Sequence, residues 1–103
     1  MAVVSRYLTV TQGNLDNSHL YLTELLDIFP EDVFGGSDES QAASRTVRVQ
    51  WGAEVIETDI DRTKNIFRKR GWVARFFDEG RIQAGDRVLL EQLEPYVYRV
   101  SKA

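Results

Sequence analysis

"RGWVARFFDEGRIQAGDRVLLEQL", residues 70–93, carries two hydrophobic periods in succession, and their order decides the fold. Trp72, Val73, Phe76 and Phe77 share one helical stripe while Arg75, Asp78 and Glu79 share the other, which predicts a short amphipathic helix with Gly80 at its C-cap. A Gly85-Asp86 turn then launches "RVLLEQL", an apolar strand, and Glu94-Pro95 joins it to a second strand, "YVYRV". A helix set among strands, without a repeating strand-helix-strand order, points to a mostly β architecture.

Upstream, the same reasoning finds more strands than helices. "VVSRYLTV" (3–10) is rich in β-branched and aromatic residues and predicts a first strand, followed by "TQGNLDNS" as a polar loop. In "HLYL", His19 and Tyr21 alternate with Leu20 and Leu22, the period of a half-buried strand. "TELLDIF" shifts to helical spacing and stops before Pro30. From Pro30 to Arg45 glycine, serine and acids dominate, which predicts a mobile surface loop over about 31–45. "TVRVQW" and "EVIETDI" form a hairpin around Gly52-Ala53, with Glu57 and Asp59 expected to face water, and "NIFR" adds a brief strand.

The count, about seven short strands and two short helices, suggests a small barrel formed by one domain over residues 1–103. The expected core is Leu20, Leu22, Val47, Val49, Trp51, Ile56, Phe67, Trp72, Phe76, Phe77, Val88, Leu90, Val97 and Val100. Hydrophobic residues at 43% of 103 supply that core. No apolar run is long enough to span a bilayer, and the first residues lack the order of a secretory signal, so a cytoplasmic protein without membrane contact is expected. Zero cysteines exclude disulfides and thiolate metal sites, a single histidine is too few for a zinc cluster, and no cofactor is expected.

Three classes of chemistry are open to these residues. His19 is the one imidazole available as a general base, and its neighbour Ser18 would point to the opposite face of a strand, so a nucleophile-base pair is geometrically poor. Glu57, Asp59 and Asp61 stand at period 2 ahead of Lys64 and could form a small magnesium-dependent nuclease site, but the spacing departs from an acid, one spacer and a lysine. Binding of a polyanion accounts for more of the charge pattern. The chain has formal charge −3, yet residues 62–81 hold Arg62, Lys64, Arg68, Lys69, Arg70, Arg75 and Arg81 against Asp78 and Glu79. Each cation that meets a phosphate releases condensed counterions. Thr63 and Asn65 flank Lys64, and the early polar loop offers Gln12, Asn14, Asp16, Asn17 and Ser18 as base-reading groups.

The succession "HLYLTELLDIFP", "TVRVQWG" and "RGWVARFFDEGRIQAGDRVLLEQL" resembles the DNA-binding pseudobarrel of the plant B-three type, found in auxin-response transcription factors and in the recognition domains of EcoRII-type restriction endonucleases. The residues carrying the resemblance are Phe29-Pro30, Gly71-Trp72, Phe76-Phe77 and Gly85-Asp86, and it covers roughly 8–100. It implies a seven-stranded open β-barrel with two plugging helices that reads a short sequence of double-stranded DNA in the major groove without catalysis. It also implies an N-arm at Gln12 to Ser18 and a C-arm at Arg62 to Asn65, with Arg68 and Arg70 behind. The implied setting is restriction-modification or transcription, as a monomer beside a nuclease or methyltransferase partner. The early arm departs from the pattern in having no lysine or arginine between Gln12 and Tyr21. The alternative reading is a protein-interaction module, the basic loop docking an acidic partner and the acidic loop 31–39 a basic one.

Overall fold

A computed structural model describes residues 4–103, so Val3 and the start of the chain lie outside the described residues. The fold is mostly β: eight strands in two mixed sheets with two α-helices among the described residues. The strands are β1 (Val4–Thr9), β2 (Phe34–Gly35), β3 (Val47–Trp51), β4 (Glu54–Thr58), β5 (Ile60–Asp61), β6 (Ile66–Phe67), β7 (Arg87–Glu94) and β8 (Val97–Lys102). The helices are α1 (Gln12–Asn17) and α2 (Gly71–Glu79). The larger sheet runs β1-β7-β8-β3-β4 and the smaller β2-β5-β6, and neither closes into a barrel among the described residues. No helix among them is long and apolar enough to cross a membrane.

The elements written most clearly in the pattern form as expected. β3 and β4 pair antiparallel around Gly52, whose φ of +55° a glycine adopts without strain. β7 and β8 pair antiparallel, with a register shift between Gln92 and Glu94, and β8 then lies parallel to β3. Helix α2 buries Trp72, Val73, Phe76 and Phe77 on the predicted stripe. Gly80 caps it, although in right-handed geometry; the left-handed residue is the next one, Arg81 at φ +51°.

An aromatic chain links helix to sheets. Trp72 stacks near Trp51 at 6.4 Å between ring centroids, Phe67 lies 6.0 Å from Trp72, Phe29 6.0 Å from Phe67, and Tyr98 4.5 Å from Phe29. Each such side chain contributes roughly 1.5–3 kcal/mol by leaving water. Tyr98 is completely buried, and its hydroxyl donates to the Ile28 carbonyl at 2.6 Å. The strand therefore buries Tyr98 and Val100. Val97, expected in the core, is only partly buried, because three positions along a strand reverse the face. Ile56 likewise packs at the edge of the core rather than within it.

Four local expectations are corrected. The polar loop at 12–17 is helix α1: the Thr11 side chain accepts from the Asn14 N–H while Asn14 Oδ1 accepts from the Thr11 N–H at 2.7 Å, a reciprocal cap, and Ser18 ends the helix at φ +53°. "HLYL" keeps its alternation, with Leu20 and Leu22 buried, but enters no ladder. "TELLDIF" forms only a turn and a 3₁₀ segment, Leu26–Ile28. The segment expected as a mobile loop is organised by 3₁₀ turns at Glu31–Val33 and Glu39–Gln41 and by β2, which pairs parallel to β5.

Candidate nucleic-acid interface

The basic stretch begins where β4 ends. Strand β4 pairs with β3 as far as Thr58, the chain turns at Asp59, and β5 joins the smaller sheet. Asp59, expected to face water, is instead 4% exposed, and Asp61 is 6% exposed. Leaving one sheet for the other turns both carboxylates into the protein, where each finds donors. Asp61 Oδ1 accepts from the Thr63 N–H at 2.9 Å and the Lys64 N–H at 3.3 Å, and the Asn65 N–H donates to the Asp61 carbonyl at 2.7 Å. Asn65 completes the reversal at φ +57°, a conformation asparagine tolerates. The β5–β6 hairpin tip, Arg62 to Asn65, thus has a backbone fixed from inside and presents Arg62, Thr63 and Lys64 to solvent.

Five cations have no carboxylate within ion-pairing distance among the described residues: Lys64, Lys69, Arg70, Arg81 and Arg87. Three of them fall within 64–70. Arg62 is nearly as free, 3.8 Å from the very exposed Glu31 carboxylate and with its guanidinium 5.0 Å over the Phe34 ring. In water such a contact contributes little, so Arg62 can exchange it for a phosphate.

The other predicted residues divide. Arg68 is not available to a ligand: it is bidentate to Asp59, Nε at 2.6 Å and Nη2 at 3.0 Å, and also donates to the Gly36 and Asp38 carbonyls. In the early arm, Asn14 is 1% exposed and serves the cap of α1, which removes it as a base reader. Gln12, Asp16 and Asn17 are exposed, with Gln12 Nε2 donating to Asp16 and Asn17 Nδ2 to the Gly13 carbonyl, and Ser18 is half-buried.

The segment that adjoins the tip carries no local signal of that contact in the sequence. The Leu22 N–H donates to the Asn65 carbonyl at 2.7 Å, and Asn65 Nδ2 reaches Thr23 Oγ1 at 3.4 Å. His19 stands edge-on to Tyr21, 5.6 Å away, and its pKa is lowered by burial and by the charges of Arg70 and Lys64. His19, Tyr21 and Thr23 therefore border the basic tip. The alternation of "HLYL" put His19 and Tyr21 on the outer face, but nothing in the local sequence tied that face to residue 65.

The three carboxylates at period 2 do not converge on one site: Glu57 is exposed beside Arg48, Asp59 is held by Arg68 and Asp61 by the tip backbone. Among the described residues no group of three or more histidines and acids is placed to hold a metal ion. In comparisons with known proteins, no family model, no curated protein and no solved structure matches this chain.

Proposed function

We propose that this chain is a non-catalytic module that binds double-stranded DNA, with its two sheets acting as an open pseudobarrel that presents a basic hairpin tip to the major groove. The observation that carries this reading is the tip itself: Arg62, Thr63 and Lys64 project from a backbone braced by Asp61, with Arg70 uncompensated nearby, on a protein that is acidic elsewhere. A forked and cationic projection can set Arg62, Lys64 and Arg70 against phosphates while Thr63 and Asn65 meet base edges. The acidic remainder discourages loose sticking to the duplex and favours contact along one edge. His19, Tyr21 and Thr23 extend that edge toward the exposed side chains of α1. The natural setting is restriction-modification or transcription in the cytoplasm, beside a nuclease or methyltransferase.

Titration of a fluorescent random-sequence duplex at several salt concentrations tests the reading. Log K is expected to fall linearly with log salt, with a slope of about −3 for three or four phosphate contacts. Reversing Arg62 and Lys64 to glutamate should flatten the slope by about two. Absence of binding at low salt would overturn the proposal, and magnesium-dependent cutting of the duplex would replace it with the nuclease reading.

A further inference from the structure

We infer that Asp59 and Arg68 are a positioning pair which, through the 34–43 segment, sets where Arg62 stands at the hairpin tip; this rests on the DNA-binding reading above. The pair is nearly buried, with side-chain exposures of 5% and 16%. It holds both ends of one turn. Arg68 Nη2 donates to the Gly36 carbonyl at 2.6 Å and Nη1 to the Asp38 carbonyl at 3.2 Å, while Asp59 Oδ2 accepts from the Ala43 N–H at 2.8 Å. The turn is also closed on itself, by the Gly36 N–H donating to the Gln41 carbonyl at 2.9 Å.

From this anchored turn the contact passes directly to the tip. The Gly35 carbonyl accepts from the Arg62 N–H at 3.0 Å, and the Phe34 ring lies beneath the Arg62 guanidinium. Gly35 is seated without spare room: a Cβ there would stand 2.7 Å from Asp59 Oδ2, from the Ala43 nitrogen and from the Gln41 carbonyl oxygen. A third link closes the base of the hairpin, the Arg68 N–H donating to the Asp59 carbonyl at 2.9 Å. Arg68 thus spends Nε and both terminal nitrogens inside the protein, in a planar fork that the compact ammonium of lysine cannot reproduce. The acidic loop, which in sequence looks like a poor companion for DNA, is the seat of the arm that would touch it.

Two variants probe this. Arg68→Lys keeps the charge and removes the fork. Gly35→Ala changes no charge and no group that could face DNA, so it acts by geometry alone and also serves if Arg68→Lys fails to fold. In the free protein, hydrogen exchange at the Arg62 and Asn65 amides should quicken at least about tenfold in either variant while exchange in β7 and β8 is unchanged. In duplex titrations each variant should bind roughly tenfold more weakly, and adding Arg62→Ala should cost no more than about twofold further, because the seat and the arginine act as one unit. Unchanged tip exchange in both variants, or additive losses with Arg62→Ala, would overturn the inference while leaving DNA binding intact. If no duplex binds even the unaltered chain, the functional reading fails, and the exchange result still judges the seat by itself.

Discussion

Trp72→Ala is expected to lower folding stability by about 3–5 kcal/mol, the range for truncating a large aromatic in a packed core. Trp72 is 4% exposed, and its ring lies within 6.0–6.4 Å of Phe67, Phe76 and Trp51. Its Nε1 also donates to the Lys69 carbonyl at 2.7 Å, fixing the end of the basic stretch to helix α2. Removal therefore opens a cavity at the junction of helix and sheet and leaves a carbonyl without its donor. Trp72→Phe retains much of the volume and should cost substantially less. Urea unfolding followed by circular dichroism measures both. A loss below about 1 kcal/mol for the alanine variant would mean that the aromatic chain does not organise the core.

Asp59→Ala should be comparably damaging at neutral pH, about 3–5 kcal/mol, because it leaves the Arg68 guanidinium confined without its counter-charge. The same residue makes stability pH-dependent with a definite sign. Burial pushes the Asp59 carboxyl up, but the hydrogen bonds from Arg68 and the Ala43 N–H, with the guanidinium charge, outweigh it and hold the pKa below the usual carboxylate value. The folded state thus binds the proton less readily than the unfolded chain. The associated stability is present above the unfolded value of about 3.9 and disappears as pH falls through the lower folded value. Asp59→Asn should remove this part of the acid dependence. Urea midpoints of both proteins between pH 2 and 7 would show it as a narrowing gap toward low pH, and a gap that stays constant would contradict the assignment.

These two residues also mark what the sequence discloses and what it withholds. Trp72 belongs to a stripe whose spacing alone predicts helix α2, as the alternation of Val47, Val49 and Trp51 predicts the hairpin. Asp59 continues an alternating strand in sequence, and local pattern places it in water. It is buried because Arg68 and the Ala43 N–H, distant along the chain, arrive to receive it. The order of the loop at 31–45 comes partly from the same source: Val33 is buried in the core with Phe34 packed against it, and the Asp59–Arg68 pair holds 36–43. Helix α1 is different, since Thr11 followed three residues later by Asn14 is a capping pattern visible in the sequence, obscured by residues that also favour turns. At the site, the cationic tip was legible from charge, whereas its contact with His19 to Thr23 depends on a hydrogen bond between residues 22 and 65.

The central claim, that the hairpin tip is the surface that meets DNA, is tested most directly by following backbone amide chemical shifts as a short duplex is added to the labelled protein. The account predicts the largest changes at Arg62, Thr63, Lys64 and Asn65, with smaller ones at His19, Tyr21, Thr23 and Arg70 and little change along β4 or at Asp38 and Glu39. Largest changes along β4 or in the acidic 37–41 turn, with the tip unmoved, would contradict it.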